Sequence, residues 1–270
     1  MKIVRVVLFL LGLGICALTG KVLMGVGNVS AALGDAVVLE SPIVLPENEG
    51  KIVILYGKPE MTAPAYDEEL GLTLQTVKAL RYKEAYEWTL GEKEEYAYKW
   101  VSKGMETLVG EAKIGEFVLS NETLIALPAE SHYEDFDAQE ASRYSLDKPS
   151  LGSADLYVLP LGSYYYAESN HRRSYEYAGT EAYRYRFFDA ERYATMTFVG
   201  RQLGNTLVDS GVDGITRVYT DKKTRDEVVS SNKTALLVGS GVGMLLGAAL
   251  VLLAVRKGKN TVPNQKRKKG

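Results

Sequence analysis

The chain has 270 residues with 32 basic and 34 acidic side chains, and its one cysteine excludes an internal disulfide framework. That near-neutral total hides an asymmetry. The first 34 residues hold three basic side chains and no acidic one, and the last 15 hold seven and none, which leaves 22 basic against 34 acidic between them. The middle is therefore acidic, the wrong polarity for nucleic acid, and no nucleic-acid partner is expected.

At the N-terminus Lys2 and Arg5 precede an uncharged apolar run over residues 6–20, Lys21 interrupts it, and residues 22–33 resume the apolar character. This pattern predicts a transmembrane anchor over residues 1–33, with Lys21 snorkelling to the interface. The rival is a cleaved signal peptide, but no A-x-A site follows. Residues 34–233 read as one β-rich domain. Short β-branched runs at 37–45 and 51–57 flank a turn at 46–50. Residues 80–90 alternate, so Tyr82, Glu84, Tyr86 and Trp88 share one face and Arg81, Lys83, Ala85 and Glu87 the other. Residues 181–190 alternate as well, and 193–202 read as their hairpin partner. Turns are expected at 162–163 and 211–214, short helices at 120–127 and 136–144, and a polar helix at 220–231 leading into the last apolar segment. The 18 tyrosines suit half-buried sheet faces, which outweighs reading them as a ligand surface.

Residues 234–255 contain no charge, and 22 residues of helix reach about 33 Å, matching a hydrocarbon core of about 30 Å. This predicts a C-terminal transmembrane helix. Gly239, Gly243 and Gly247 recur every four residues and line one stripe, a candidate helix-packing surface whose partner is a second copy or the N-terminal helix. Residues 256–270 form a basic tail in which Arg256, Lys257, Lys259, Lys266, Arg267, Lys268 and Lys269 face anionic lipid headgroups. Positive flanks at both ends put both termini in the cytoplasm and the domain outside it or in a lumen. The fold class is α+β: a β-rich extracytoplasmic domain flanked by an N-terminal and a C-terminal transmembrane helix.

Catalytic constellations are not found. The domain has no cysteine, so a Cys–His pair is excluded. His132 beside Glu130, Glu134, Asp135 and Asp137 lacks metal-ligand spacing and reads as a solvated loop. Residues 209–214 lack the remaining oxygen ligands of a calcium loop and read as a turn. Gly57-Lys58 is followed by Pro59, where a phosphate loop needs Ser or Thr. No catalytic residue, cofactor or metal is assigned, and no enzymatic activity is expected.

The stretch Asn48-Glu49-Gly50-Lys51-Ile52-Val53, followed by Arg81, Glu84, Tyr86 and Trp88 in an R-x-x-E-x-Y-x-W pattern and by Phe117-Val118-Leu119-Ser120, resembles the transmembrane protein 43 family, also called LUMA. The resemblance spans roughly residues 1–255 and departs in having one apolar helix after the domain where better-known members have several. It implies a non-enzymatic membrane-organising or scaffold protein that forms homo-oligomers or joins another membrane protein. The alternative is an extracytoplasmic ligand-binding or sensor module. On the residues themselves, Arg81 and Glu84 lie on opposite faces of one strand and cannot pair, so each needs a partner elsewhere that pins register. Trp88 is expected to be buried.

Overall fold

The computed structural model describes residues 2–90, 96–132, 154–158, 164–168 and 176–255. The expected turn at 162–163, the helix at 136–144 and the basic tail lie outside them. The chain divides into two compact units.

The first unit is built from two long helices, α1 (Lys2–Gly34) and α3 (Arg225–Val255). Both are long and apolar enough to cross a membrane. Helix α1 runs unbroken through Lys21. Helix α3 begins at Arg225, earlier than the apolar run at 234, because Asp226 and Glu227 suit its first turn and the polar helix expected at 220–231 merges with the apolar one. The two helices meet through small residues. A Cβ built on Gly247 would stand 2.6 Å from Cys16 Sγ and 2.9 Å from the Gly12 carbonyl oxygen, and one on Gly243 would stand 2.1 Å from Thr19 Cγ2. One on Gly12 would strike the Gly247 carbonyl oxygen at 2.8 Å. Positions on α3 fall as those on α1 rise, so the helices are antiparallel.

Gly239 departs from the expected stripe: it is exposed, with nothing within 4 Å. Within the apolar run of α3 the buried positions are Ser240, Gly247 and Ala254, a seven-residue repeat, with Gly243 between the first two; Val228 and Asn232 are buried nearer its start. A seam spaced three and four residues apart stays on one side of a helix, as in a left-handed coil, whereas a strict step of four drifts off it. Outward-facing leucines are bare: Leu18 is 68% and Leu245 74% exposed. Polar side chains in the helices satisfy themselves: Thr19 Oγ1 donates to the Ile15 carbonyl (2.9 Å) and Ser240 Oγ to the Leu236 carbonyl (2.6 Å).

The second unit holds two larger sheets and a small hairpin. In the first sheet the order is β1 (Val37–Leu39), β2 (Ile52–Gly57), β14 (Met196–Leu203), β15 (Thr206–Val208), β9 (Phe117–Leu119), β8 (Glu111–Ile114) and β3 (Glu60–Ala63), with β16 (Val218–Tyr219) also on β14. Strand β1 is shorter than the expected 37–45 because Pro42 has no N–H to continue a ladder. The expected hairpin between 181–190 and 193–202 does not form. Strand β14 instead pairs antiparallel with β2, from Met196 opposite Gly57 to Arg201 opposite Ile52. Its first five residues are all buried. Such a strand is stable only at the centre of a covered sheet.

The second sheet runs β12 (Tyr164–Glu168), β11 (Ala154–Val158), β13 (Glu181–Phe187), β6 (Lys78–Leu90) and β7 (Tyr96–Val109), with β10 (Ser131–His132) also on β13. The hairpin β4 (Ala65–Asp67) and β5 (Leu72–Leu74) contributes Ala65, Leu72 and Leu74 to a core shared with Ala79, Leu108, Tyr183 and Tyr185. A larger core gathers Val53, Leu55, Phe117, Met196, Phe198 and Leu124, the last from the short helix α2 (Asn121–Ala126). Lys78 Nζ, buried, donates to the carbonyls of Ile125 and Leu127 at the end of α2, where helix carbonyls lack partners. Burial pushes its amine below the ordinary lysine value.

The helix seam yields a direct test. Gly247→Cys should form an intrachain disulfide with Cys16 under mild oxidation in membranes, seen as a mobility change at monomer mass, and Gly239→Cys should not. A disulfide-linked dimer from Gly247→Cys, with no intrachain product, would place this seam between chains.

Candidate functional site

Strand β6 presents different chemistry on its two faces. On the inner face Arg81 and Lys83, two residues apart, point the same way. The antiparallel register with β13 sets Tyr185 opposite Arg81 and Tyr183 opposite Lys83, and the register with β7 sets Glu106 opposite Arg81. Asp67, at the end of β4, is wholly buried. Its Oδ1 accepts from Arg81 Nη1 at 2.5 Å and from the backbone N–H of Glu69 at 3.0 Å, and its Oδ2 accepts from the Tyr185 hydroxyl at 2.6 Å. One carboxylate therefore shapes its own turn and holds the sheet. Arg81 Nη2 also meets Glu69 and Glu106.

Lys83 Nζ pairs with Glu69 and, at 2.8 Å, with Glu181. The Tyr183 hydroxyl lies 2.5 Å from Glu181 Oε2 and 2.8 Å from Glu69 Oε1, so its single proton serves one carboxylate at a time. Partial burial pushes the Glu69 carboxyl up, but hydrogen bonds from Lys83 and Tyr183 and the nearby Arg81 guanidinium outweigh this and hold it below the ordinary range. Burial first, then the neighbouring carboxylates, drive the Tyr183 and Tyr185 phenols well above theirs. Both stay neutral and donate.

An open hollow of about 620 Å³ borders this network, lined by Tyr66, Asp67, Glu68, Glu69, Arg81 and Glu106 among others. Carboxylates outnumber cations along it. The buried Arg81 Nε has no acceptor among the described residues. No group of three metal-ligating side chains is assembled among the described residues.

The outer face of β6 carries Glu84, Tyr86 and Trp88, as the alternation requires. Arg81 lies on the inner face, and its partners come from β4, from the turn after it and from β7. The expectation that Trp88 is buried is overturned: it is 58% exposed. Strand β13 runs beside β6 only from Ala79 to Ala85, so Trp88 has β7 as its only strand neighbour among the described residues. His132 is exposed on β10, and its acidic neighbours from 134 onward lie outside the described residues. Asp209 behaves as a turn residue: Oδ1 accepts from the Gly211 N–H at 2.8 Å and Oδ2 from Arg217 Nε at 2.5 Å. Sequence reasoning missed Asp67, Glu69, Glu106 and Glu181. The available signal was Arg81 and Lys83 sharing a strand face, which demands acidic partners opposite.

No family model, curated protein or solved structure matches this chain.

Removing one partner of a buried pair leaves the other charge uncompensated. Arg81→Met should destabilise the β-domain by about 3–5 kcal/mol. Combined with Asp67→Leu, the loss should be smaller than the sum of the two single variants by at least about 1 kcal/mol, read by urea unfolding in detergent. A single-variant loss under about 1 kcal/mol would show that the sheet does not depend on this pair. The pH dependence follows from Glu69. Its folded value is depressed, so its stabilisation is complete above the ordinary glutamate value and is lost as pH falls through the folded one. Glu69→Gln should therefore flatten the acid limb of the stability profile. An unchanged acid limb would contradict that assignment.

Proposed function

We propose that this chain is a non-enzymatic integral membrane protein that organises other components at a bilayer, as its resemblance to the transmembrane protein 43 family implies. In this reading α1 and α3 cross the membrane as an antiparallel pair, both termini are cytoplasmic, and the β-domain is extracytoplasmic or lumenal. The observation that carries it is the pairing itself: two long apolar helices joined by a seam of small residues, with large leucines left bare on the outside. In lipid such helices associate by close backbone packing, because the surrounding tails are as apolar as the side chains. In water the bare leucines would drive aggregation.

Sidedness draws on charge. Antiparallel register brings the sequence ends carrying Lys2 and Arg5, and Arg256, Lys257, Lys259, Lys266, Arg267, Lys268 and Lys269, to the same end of the pair, the end that stays cytoplasmic. The tail then meets anionic headgroups at about 1 kcal/mol per charge. Gly14, Gly25 and Gly27 on α1 and Gly239 and Gly241 on α3 have nothing within 4 Å, which leaves smooth surfaces for a second copy or another membrane protein. A second reading, an extracytoplasmic binding module, is favoured by the carboxylate-lined hollow at Asp67, Glu69 and Glu106.

Cysteine accessibility tests the topology. With Cys16→Ser as background, Asn205→Cys in the exposed part of the domain should react with an impermeant thiol reagent on intact cells or sealed vesicles, and Asn264→Cys should not. The opposite pattern would invert the orientation. Crosslinking in native membranes tests the role: homo-oligomers or captured membrane proteins support a scaffold. Monomer alone, with a small cation bound and binding abolished by Glu106→Gln, would move the function to the hollow.

A further inference from the structure

Helix α1 carries one charge inside its apolar run, Lys21, and the register of the helix seam sets its depth. Thr19 lies against Gly243 and Cys16 against Gly247, so on this antiparallel pair Lys21 is level with Gly241. The charge-free run of α3 opens at Thr234, about 10 Å from that level at 1.5 Å per residue, and closes at Val255, about 21 Å the other way. When this run fills a hydrocarbon core of about 30 Å, the Lys21 backbone lies well inside it. Snorkelling to the nearer boundary is opposed by geometry. The side chain of a helical residue sets out toward the helix N-terminus, which for Lys21 is the direction of the farther boundary. Raising the whole pair until Lys21 met the nearer boundary would draw Val22 and Leu23 of α1 and Leu237 and Val238 of α3 into water, and all four are exposed on the helix surfaces.

The face that carries Lys21 is turned away from α3. At 3.6 residues per turn it sits about 140–180° round the helix from Gly12, Cys16 and Thr19, the residues that meet α3. Gly14 and Asn28 stand seven residues either side of Lys21 on the same face, and Ala17 and Gly25 four residues either side. Gly14, Ala17, Lys21 and Asn28 are exposed, and a Cβ added at Gly14 or Gly25 would meet nothing within 4 Å. Lys21 has no hydrogen-bond or ion-pair partner among the described residues.

An amine in hydrocarbon, charged or neutral, needs a polar partner, and intramembrane lysines accordingly face acids or carbonyls inside helix bundles. This chain does not supply the acid. Residues 1–34 and 234–255 contain no Asp or Glu, and Asp35, Asp226 and Glu227 lie at the helix ends, so a second copy would bring only another lysine to this depth. Lipid phosphates stay at the boundary. We propose that the face of α1 carrying Gly14, Ala17, Lys21, Gly25 and Asn28 docks a transmembrane helix of a different protein, one with an Asp or Glu inside its own apolar run. The carboxylate pairs with Lys21, and the small residues let the two backbones approach closely around the ion pair. This rests on reading α1 and α3 as membrane spans, and it gives the organising role a partner class.

The test uses the full chain in phosphatidylcholine vesicles, with Cys16→Ser and a donor dye on Asn264→Cys. The probes are two acceptor-labelled polyleucine transmembrane peptides, with Glu or Leu at the depth of Lys21. Energy transfer should show the Glu peptide binding about tenfold more tightly than the Leu peptide. Lys21→Met should remove that preference and Lys21→Arg should keep it. Gly14→Leu with Gly25→Leu should weaken binding of the Glu peptide. A chain that alkaline carbonate strips from the vesicles overturns the spans and this inference with them. For a chain that stays, Lys21→Cys in the Cys16→Ser background should resist an aqueous maleimide that labels Lys233→Cys. Labelling at equal rates would put residue 21 at the boundary and overturn this inference alone. Equal binding of the two peptides overturns it as well. Self-association of the chain that Lys21→Met abolishes assigns the face to a second copy and overturns it too.

Discussion

A guanidinium buried against a fully buried carboxylate is the constraint on which the second sheet depends. Asp67 is wholly buried, so its charge is tolerable only because Arg81, the Tyr185 hydroxyl and the backbone N–H groups of the following turn all point at it. Those donors come from three separate places in the sequence. A shift of β6 against β13 by one residue would turn Arg81 and Lys83 outward and leave Asp67 unpaired. The pair therefore specifies register as much as it contributes stability. It also explains the small hairpin: β4 and β5 are too short to persist alone, yet the carboxylate at the end of β4 fixes them to the sheet while Leu72 and Leu74 fill the core beneath.

The inner face of β6 concentrates charge and neutralises it, while the outer face carries Glu84 beside its aromatic residues. Arg81 and Lys83 balance carboxylates from four segments, and the aromatic residues sit on the other side of the same backbone. The bulge between Lys83 and Glu84 in the pairing with β7 takes up one extra residue at Lys103. Bulges add twist and bend a strand. Here the bulge lies within two residues of Ala85, the last residue of β6 paired with β13, and beyond it β6 has β7 as its only strand neighbour among the described residues.

What could be read in the sequence divides along the same physical lines. The period-two alternation of residues 80–90 gave both faces of β6 correctly, and hydropathy marked both long helices, because these signals are local. The destination of β14 was not local. Residues 193–202 sat next to 181–190 in sequence, but five consecutive buried positions needed a covered central place, which only the first sheet offered. Asp67 looked like the start of an acidic turn with Glu68 and Glu69. Nothing near it in sequence says that a strand 14 residues later supplies its counter-charge. Trp88 failed for the opposite reason: a large aromatic is usually buried, and its exposure follows from the length of β6 beyond its neighbour.

The helix pair follows a similar logic. A four-residue glycine step is visible in the sequence, but the period of contact is set by how two helices wind about each other. Once α1 and α3 lie antiparallel, the seam must follow three-and-four spacing to stay between them, so Ser240 replaces Gly239 and Ala254 closes the repeat. Cys16 and Thr19, opposite Gly247 and Gly243, are themselves small, which brings the two backbones close enough that a methyl group on either glycine would collide. Ser240 and Thr19 spend their hydroxyls on carbonyls one turn back, so neither presents an unsatisfied donor at the seam. Gly239 and Gly241, by contrast, lie outside this seam and meet nothing within 4 Å.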